Sequence, residues 1–136
     1  MTYLLDTNAA SALIRHKNLR LAERFAQTFK LHLIGIPVLV AHELYYGAAK
    51  SGQLERQRAR VDVFLSRFAE PVSFTPTDAD IAGSVRAHLA IRGEMIRSYD
   101  ILIAAQALRT KSTLVTSNTR EFARVPDLEW EDWAAP

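Results

Sequence analysis

Short β-like runs alternate with longer helical patterns along this chain, and that alternation limits its fold more than any other feature. Tyr3-Leu4-Leu5 is a short apolar strand, followed by helical patterns over Ala9–Ile14 and Leu19–Phe29. Leu31–Ile36 is a second strand, ended by Pro37. A helix is expected from about Pro37 to Lys50, with proline in its first turn, where no amide donor is lost, and Gly52 as a stop. Leu54–Phe68 places Val61, Phe64, Leu65 and Phe68 at three- and four-residue spacing, a helical face. Val72-Ser73-Phe74 is expected to be a third short strand. Thr77 is expected to cap the next helix, with Asp78 and Asp80 in a first turn favoured by the helix dipole, and that helix runs to about Arg92 and Gly93. Ser98–Leu108 is helical, Thr113–Thr116 a β-branched strand and Leu128–Trp130 a last edge strand. Such alternation implies an α/β fold, a parallel sheet with helices on both faces. Ligand sites in such sheets gather beyond the carboxyl ends of the strands.

Length and composition exclude several alternatives. At 136 residues, with 49% apolar side chains, the chain suits one globular domain spanning 1–136. No cysteine is present, so a disulfide scaffold, a thiolate zinc site and a cysteine nucleophile are all excluded. That also fits a reducing cytoplasm, the expected location. No basic-then-apolar leader opens the sequence, and no apolar run approaches the roughly 20 residues that span a bilayer. The net charge of +2 conceals an asymmetry. Residues 1–124 carry 17 basic and 11 acidic side chains, while Asp127, Glu129, Glu131 and Asp132 make an acidic tail. A basic body suits a polyanionic partner, although a solvated surface is the plainer explanation.

Three carboxylates fall where the sheet-edge rule places function. Asp6 directly follows the first strand, in a position that also suits a helix cap. Glu43 shares a helical face with Leu39, Val40 and Gly47, and an acid on a buried face needs an arginine, a proton or a metal ion to compensate it. Asp100 opens an almost wholly apolar helix, with Ile103, Ala104 and Ala107 on its own face. Grouped carboxylates raise one another's pKa unless a cation holds them. Oxygen-only donors favour Mg²⁺ or Mn²⁺, which can acidify a bound water and neutralise phosphoryl charge.

Four segments together resemble the PIN-domain family, in particular the VapC-type toxins of bacterial toxin–antitoxin pairs. They are Asp6-Thr7-Asn8, the stretch Pro37–Gly47 containing Glu43-Leu44-Tyr45-Tyr46-Gly47, Asp100-Ile101-Leu102-Ile103-Ala104-Ala105, and Leu114-Val115-Thr116-Ser117-Asn118-Thr119-Arg120-Glu121-Phe122. The resemblance implies a three-layer α/β/α sandwich around a mainly parallel sheet of four to five strands. It implies a Mg²⁺-dependent endoribonuclease, with Mn²⁺ able to substitute, hydrolysing RNA by a metal-activated water. Asp6, Glu43 and Asp100 match the family's acidic metal-binding positions. Thr116 matches a hydroxyl position that orients a ligand or water. Asn118 stands where a fourth acid is often found, and Glu121, one helical turn on, can supply the missing charge. Before Asp100 the family often has a Gly-Pro-like pair, where this chain has Arg97-Ser98-Tyr99. Arg97 can meet a phosphate or pair with a carboxylate. Arg86 and Arg120 are further candidates to guide RNA phosphates, with Arg92 and the Arg56, Arg58, Arg60 face beside them. Tyr45, Tyr46 and Tyr99 can stack on bases, although packing is the commoner use. Trp130 and Trp133 are expected to pack the tail onto the body. The four histidines show no catalytic pairing. A cognate antitoxin, a homodimer and a toxin–antitoxin hetero-oligomer are the implied assemblies, with tRNA as the expected substrate.

Two other readings stand beside this one. Asp6 resembles the nucleophile of haloacid-dehalogenase-like phosphatases, but the acid those enzymes place two residues on is here Asn8. Alternatively, a PIN-like module can bind antitoxin and nucleic acid with little catalysis.

Overall fold

The computed structural model describes residues 2–136. Four parallel strands form one sheet in the order β2-β1-β3-β4, from β1 (Thr2–Leu5), β2 (Leu33–Gly35), β3 (Thr113–Val115) and β4 (Trp130–Glu131). Seven helices flank it: α1 (Thr7–Arg15), α2 (Leu19–Leu31), α3 (Val38–Ala49), α4 (Leu54–Leu65), α5 (Pro76–Arg92), α6 (Ser98–Thr110) and α7 (Thr119–Phe122). This is the expected α/β/α arrangement, with a wholly parallel sheet. The central strands β1 and β3 are buried along most of their length, as strands covered on both faces must be. Leu4, Leu5, Leu114 and Val115 join Ile103, Ala104, Ala105 and Ala107 of α6 in the core. None of the helices is long and apolar enough to cross a membrane, among the described residues.

The structure corrects several local expectations. Leu31 ends α2 rather than opening β2, and Leu128 lies outside β4. Val72-Ser73-Phe74 is not a strand; only Val72 forms an isolated bridge, to Pro37. Its carbonyl is used locally, accepting the Val38 amide at 2.8 Å and the Gln106 Nε2 at 2.7 Å. Proline has no N–H to extend the ladder on the other side. Gly35 gives room where β2 passes β1, since a Cβ there would stand 3.1 Å from Leu4 Cδ2 and press that side chain aside.

The cap of α5 is Thr75, two residues before the expected Thr77. Pro76 occupies the first helical position, where its fixed φ is already helical. Thr75 and Asp78 form a reciprocal capping box: the Asp78 amide donates to Thr75 Oγ1 at 3.3 Å and the Thr75 amide to Asp78 Oδ2 at 2.8 Å. Asp78 is fully buried, and its other oxygen accepts Arg109 Nε at 2.6 Å. At the C-terminus, Trp133 is buried edge-on to Tyr3, whereas Trp130 is partly exposed. The tail is therefore anchored by one tryptophan rather than two.

Candidate active site

Asp6 and Thr116 each stand one residue beyond a central strand, β1 and β3 respectively. The two strands are adjacent and parallel, so the chain leaves both at the same edge of the sheet. A cleft of about 650 Å³ opens there, lined by Asp6, Thr7, Asn8, Arg97, Asp100 and Asn118, among others. The cleft thus lies at the sheet edge where ligand sites of such folds gather.

Asp6 serves two purposes. It caps α1, its Oδ1 accepting the Ala9 amide at 2.8 Å. It also faces the cleft while only 3% exposed. Burial pushes its pKa up to about 6 and the neighbouring Asp100 adds to the rise, while hydrogen bonds from Thr116 and Ala9 and the Arg97 charge oppose it. The Thr116 hydroxyl is itself fixed, accepting the Asn118 amide at 2.9 Å. Asp100 lies in the first turn of α6 and is also buried. Its pKa is raised chiefly by burial, with Glu43 and Glu121 contributing and Arg97 opposing. Both carboxylates therefore stand in a setting that penalises their charged form and favours a cation.

Glu43, on α3, is held differently. The Thr7 hydroxyl donates to its Oε1 at 2.7 Å. Arg97 donates through Nη1 to Oε2 at 2.8 Å and through Nη2 to Oε1 at 2.9 Å. The same Nη2 donates to Asp100 Oδ1 at 3.2 Å. The question left open for Arg97 is answered by these bonds: it pairs with carboxylates and still lines the cleft. Its own pKa is raised, first by the bonds to Glu43.

Asn118 and Glu121 line the cleft as expected, the latter from the short helix α7. Arg86 does not. It lines a separate apolar hollow with Phe74, Ala82 and Leu102. Arg120 also lies outside the cleft lining, on the outward side of α7. Tyr45 instead donates to Asp62 at 2.8 Å, with Arg58 over its ring, and Tyr99 packs against His42. Sequence reasoning missed two participants. Thr7, noted only as part of the Asp6-Thr7-Asn8 segment, orients Glu43. Arg124 lines the cleft and is tethered to the Met95 carbonyl at 3.2 Å; a basic residue three positions after Glu121 was the available signal.

The donor set suits a hard divalent ion. Asp6 and Asp100 offer buried carboxylate oxygens, Asn118 a carbonyl, and Glu121 a further charge. Among the described residues no three acidic or histidine side chains stand together as a metal-holding group, and Glu43 is bonded to Arg97 and Thr7.

Comparison with known proteins agrees with this geometry. The PIN domain pattern matches residues 3–128. The chain is 35% identical to Ribonuclease VapC2 of Rickettsia felis over 98% of both chains. It is 37% identical to the tRNA(fMet)-specific endonuclease VapC of Salmonella typhimurium, again over 98% of both. Among solved structures, that of VapBC2 from Rickettsia felis bound to a promoter DNA fragment superposes with a TM-score of 0.91 at 34% identity, covering 98% of this chain and 99% of the other. DNA-bound VapBC from Salmonella typhimurium superposes with a TM-score of 0.89 at 36% identity, covering 98% of each. With its fold, its sheet-edge carboxylates and these full-length matches in agreement, the chain belongs to the PIN domain family, among the VapC proteins.

Proposed function

We propose that this chain, as one domain over residues 1–136, is a divalent-ion-dependent endoribonuclease and the toxin of a bacterial toxin–antitoxin pair, acting in the cytoplasm. One observation carries the reading. Two buried carboxylates from different elements, Asp6 and Asp100, meet in an open cleft at the carboxyl edge of the sheet, and burial holds both pKa values up. Such a pair is costly without a cation and suited to one.

Asp6 and Asp100 would hold the ion, Mg²⁺ by preference with Mn²⁺ able to replace it. Asn118 adds a neutral oxygen, and Glu121 a charge. When bound, the ion would supply a Lewis acid for a phosphodiester and lower the pKa of water. Thr116 fixes the Asp6 carboxylate, and the Asp6 cap bond to α1 stops it from turning away. Arg97 and Arg124 give the cleft two positive edges that draw in a phosphate backbone. None of the four histidines lines the cleft, so no imidazole pair is present there to drive attack by the RNA 2′-hydroxyl. Hydrolysis by water would leave 3′-hydroxyl and 5′-phosphate ends. The names of the relatives support tRNA as substrate, and the VapBC complexes support a cognate antitoxin partner. Homodimers and toxin–antitoxin hetero-oligomers are the assemblies proposed.

The test is sequencing of RNA ends after brief expression of wild type and of Asp6→Asn. New 5′-phosphate ends concentrated in one or a few RNAs, absent from the variant, are expected. Identical end profiles from the two would overturn the reading. A phosphatase would instead hydrolyse a chromogenic phosphate ester, which this protein is expected to leave intact.

A further inference from the structure

Glu43 and Arg97 form a closed pair at the side of the cleft, and the pairing alters what Glu43 can do. Both carboxylate oxygens of Glu43 are engaged in a two-pronged bond to the guanidinium, and one also accepts from Thr7. Planar fork-to-fork pairing of this kind is the strongest arrangement open to arginine. Glu43 Oε2 keeps one lone pair, but an ion bound there would stand against the guanidinium that holds the same oxygen. The guanidinium reaches past Glu43 to Asp100 as well, so its charge lies beside one of the two proposed metal ligands.

We infer that Arg97, pinned by Glu43, fills the place of a second cation, so that the cleft takes a single divalent ion at Asp6 and Asp100. The inference rests on the ion-dependent site proposed above. Charge balance supports it. Asp6, Asp100, Glu43 and Glu121 carry four negative charges, which one divalent ion and the guanidinium groups of Arg97 and Arg124 neutralise. A second divalent ion beside Asp100 would stand against the guanidinium. Like charges so close repel even through the effective dielectric of a protein surface.

The guanidinium is also placed to act on substrate. Its side chain is 54% exposed and lines the cleft. Of its five N–H groups, three serve Glu43 and Asp100. The Nε–H and one Nη1–H remain for the non-bridging oxygens of a phosphodiester. Glu43 is in this account a positioning residue that acts through Arg97. Arg97 supplies the second positive centre that a two-ion phosphodiesterase obtains from its second metal.

The experiment counts ions. Metal-stripped full-length protein is titrated with Mn²⁺, and the free ion is followed by electron paramagnetic resonance. Circular dichroism checks that each variant is folded. Wild type and Arg97→Lys are expected to bind one Mn²⁺ per chain, because both keep the charge. Arg97→Gln, freed of that charge, is expected to bind two, the first about tenfold more tightly, a change of about 1.4 kcal/mol. Two ions in the wild type, or a single ion in Arg97→Gln, would overturn the inference. Absence of binding by the wild type, or binding unchanged in Asp6→Asn, would instead overturn the ion-dependent reading beneath it.

Discussion

Two carboxylate–guanidinium corners of this molecule, both built on buried aspartates, differ in kind. Asp78 is wholly buried, and each of its oxygens has a partner: the Arg109 Nε on one, the Thr75 amide on the other. Arg109 also donates to the Ser73 carbonyl at 3.0 Å, tying α6 to the segment that enters α5. The Asp6–Asp100 corner is nearly as buried, but its two charges are not matched by ion pairs of their own and it faces a cleft. The cation bonded to it, Arg97, is committed first to Glu43. Burial is therefore a poor guide to function by itself. A buried acid whose charge is paired holds elements together, and one whose charge is left uncompensated suits a cation.

The sharpest way to break this comparison is to neutralise one acid on each side. Asp6→Asn or Asp100→Asn is expected to lower RNA cleavage by at least about a thousandfold, the scale of several kcal/mol of lost charge stabilisation, while the fold persists. Asp78→Asn should do the reverse. It strands a buried guanidinium contact and is expected to cost about 3–5 kcal/mol of stability, read by denaturant unfolding, with cleavage per folded molecule retained. Equal loss of stability in Asp6→Asn and Asp78→Asn would erase the distinction.

A smaller effect concerns pH. The folded pKa of Asp6 is about 6 against 3.8 for the free side chain, so the folded state holds this proton more tightly than the unfolded state does. Ionised Asp6 therefore opposes folding, by up to about 3 kcal/mol above pH 6, and the penalty fades as pH falls from about 6 towards 3.8. Asp100 is shifted in the same direction. Metal-free protein is expected to gain stability from this site between pH 7 and pH 5, and Asp6→Asn should lose that part of the pH dependence. Divalent-ion binding should run the other way, strengthening as pH rises through about 6. A flat difference between wild type and variant across that window would contradict the assignment.

Smaller still are the effects at the rim. Glu121→Gln is expected to weaken Mn²⁺ binding a few-fold, and Asn118→Asp to strengthen it by a similar factor, since each changes one charge at a hydrated edge. Arg124→Ala should raise KM several-fold with little change in kcat, because it alters attraction of the backbone. Arg86→Ala, away from the cleft, should leave both within about twofold.

The sequence revealed most where one short segment held all the information. Asp6 was legible because it ends a strand, and Asp100 because it opens a nearly unbroken apolar helix. The parallel sheet was legible in the alternation of elements. The fates of Glu43 and Asp78 were not, because each depends on an arginine far along the chain, Arg97 and Arg109, and an ion pair of that range exists only after folding. Local competition misled elsewhere. Val72 has a strand-like composition, yet proline stands opposite and Gln106 takes its carbonyl. Thr77 suits a cap, but Pro76 starts the helix and leaves the role to Thr75. The four-residue helix α7 was too short to show a period.

Cleavage of pooled tRNA by metal-stripped protein, before and after Mg²⁺ is restored, tests the central claim most directly when wild type is run beside Asp6→Asn and Asp100→Asn. Cleavage is expected only with the ion and only in the wild type, with 3′-hydroxyl and 5′-phosphate ends, while circular dichroism shows both variants folded. Cleavage that survives chelation, or that persists undiminished in either variant, would contradict it.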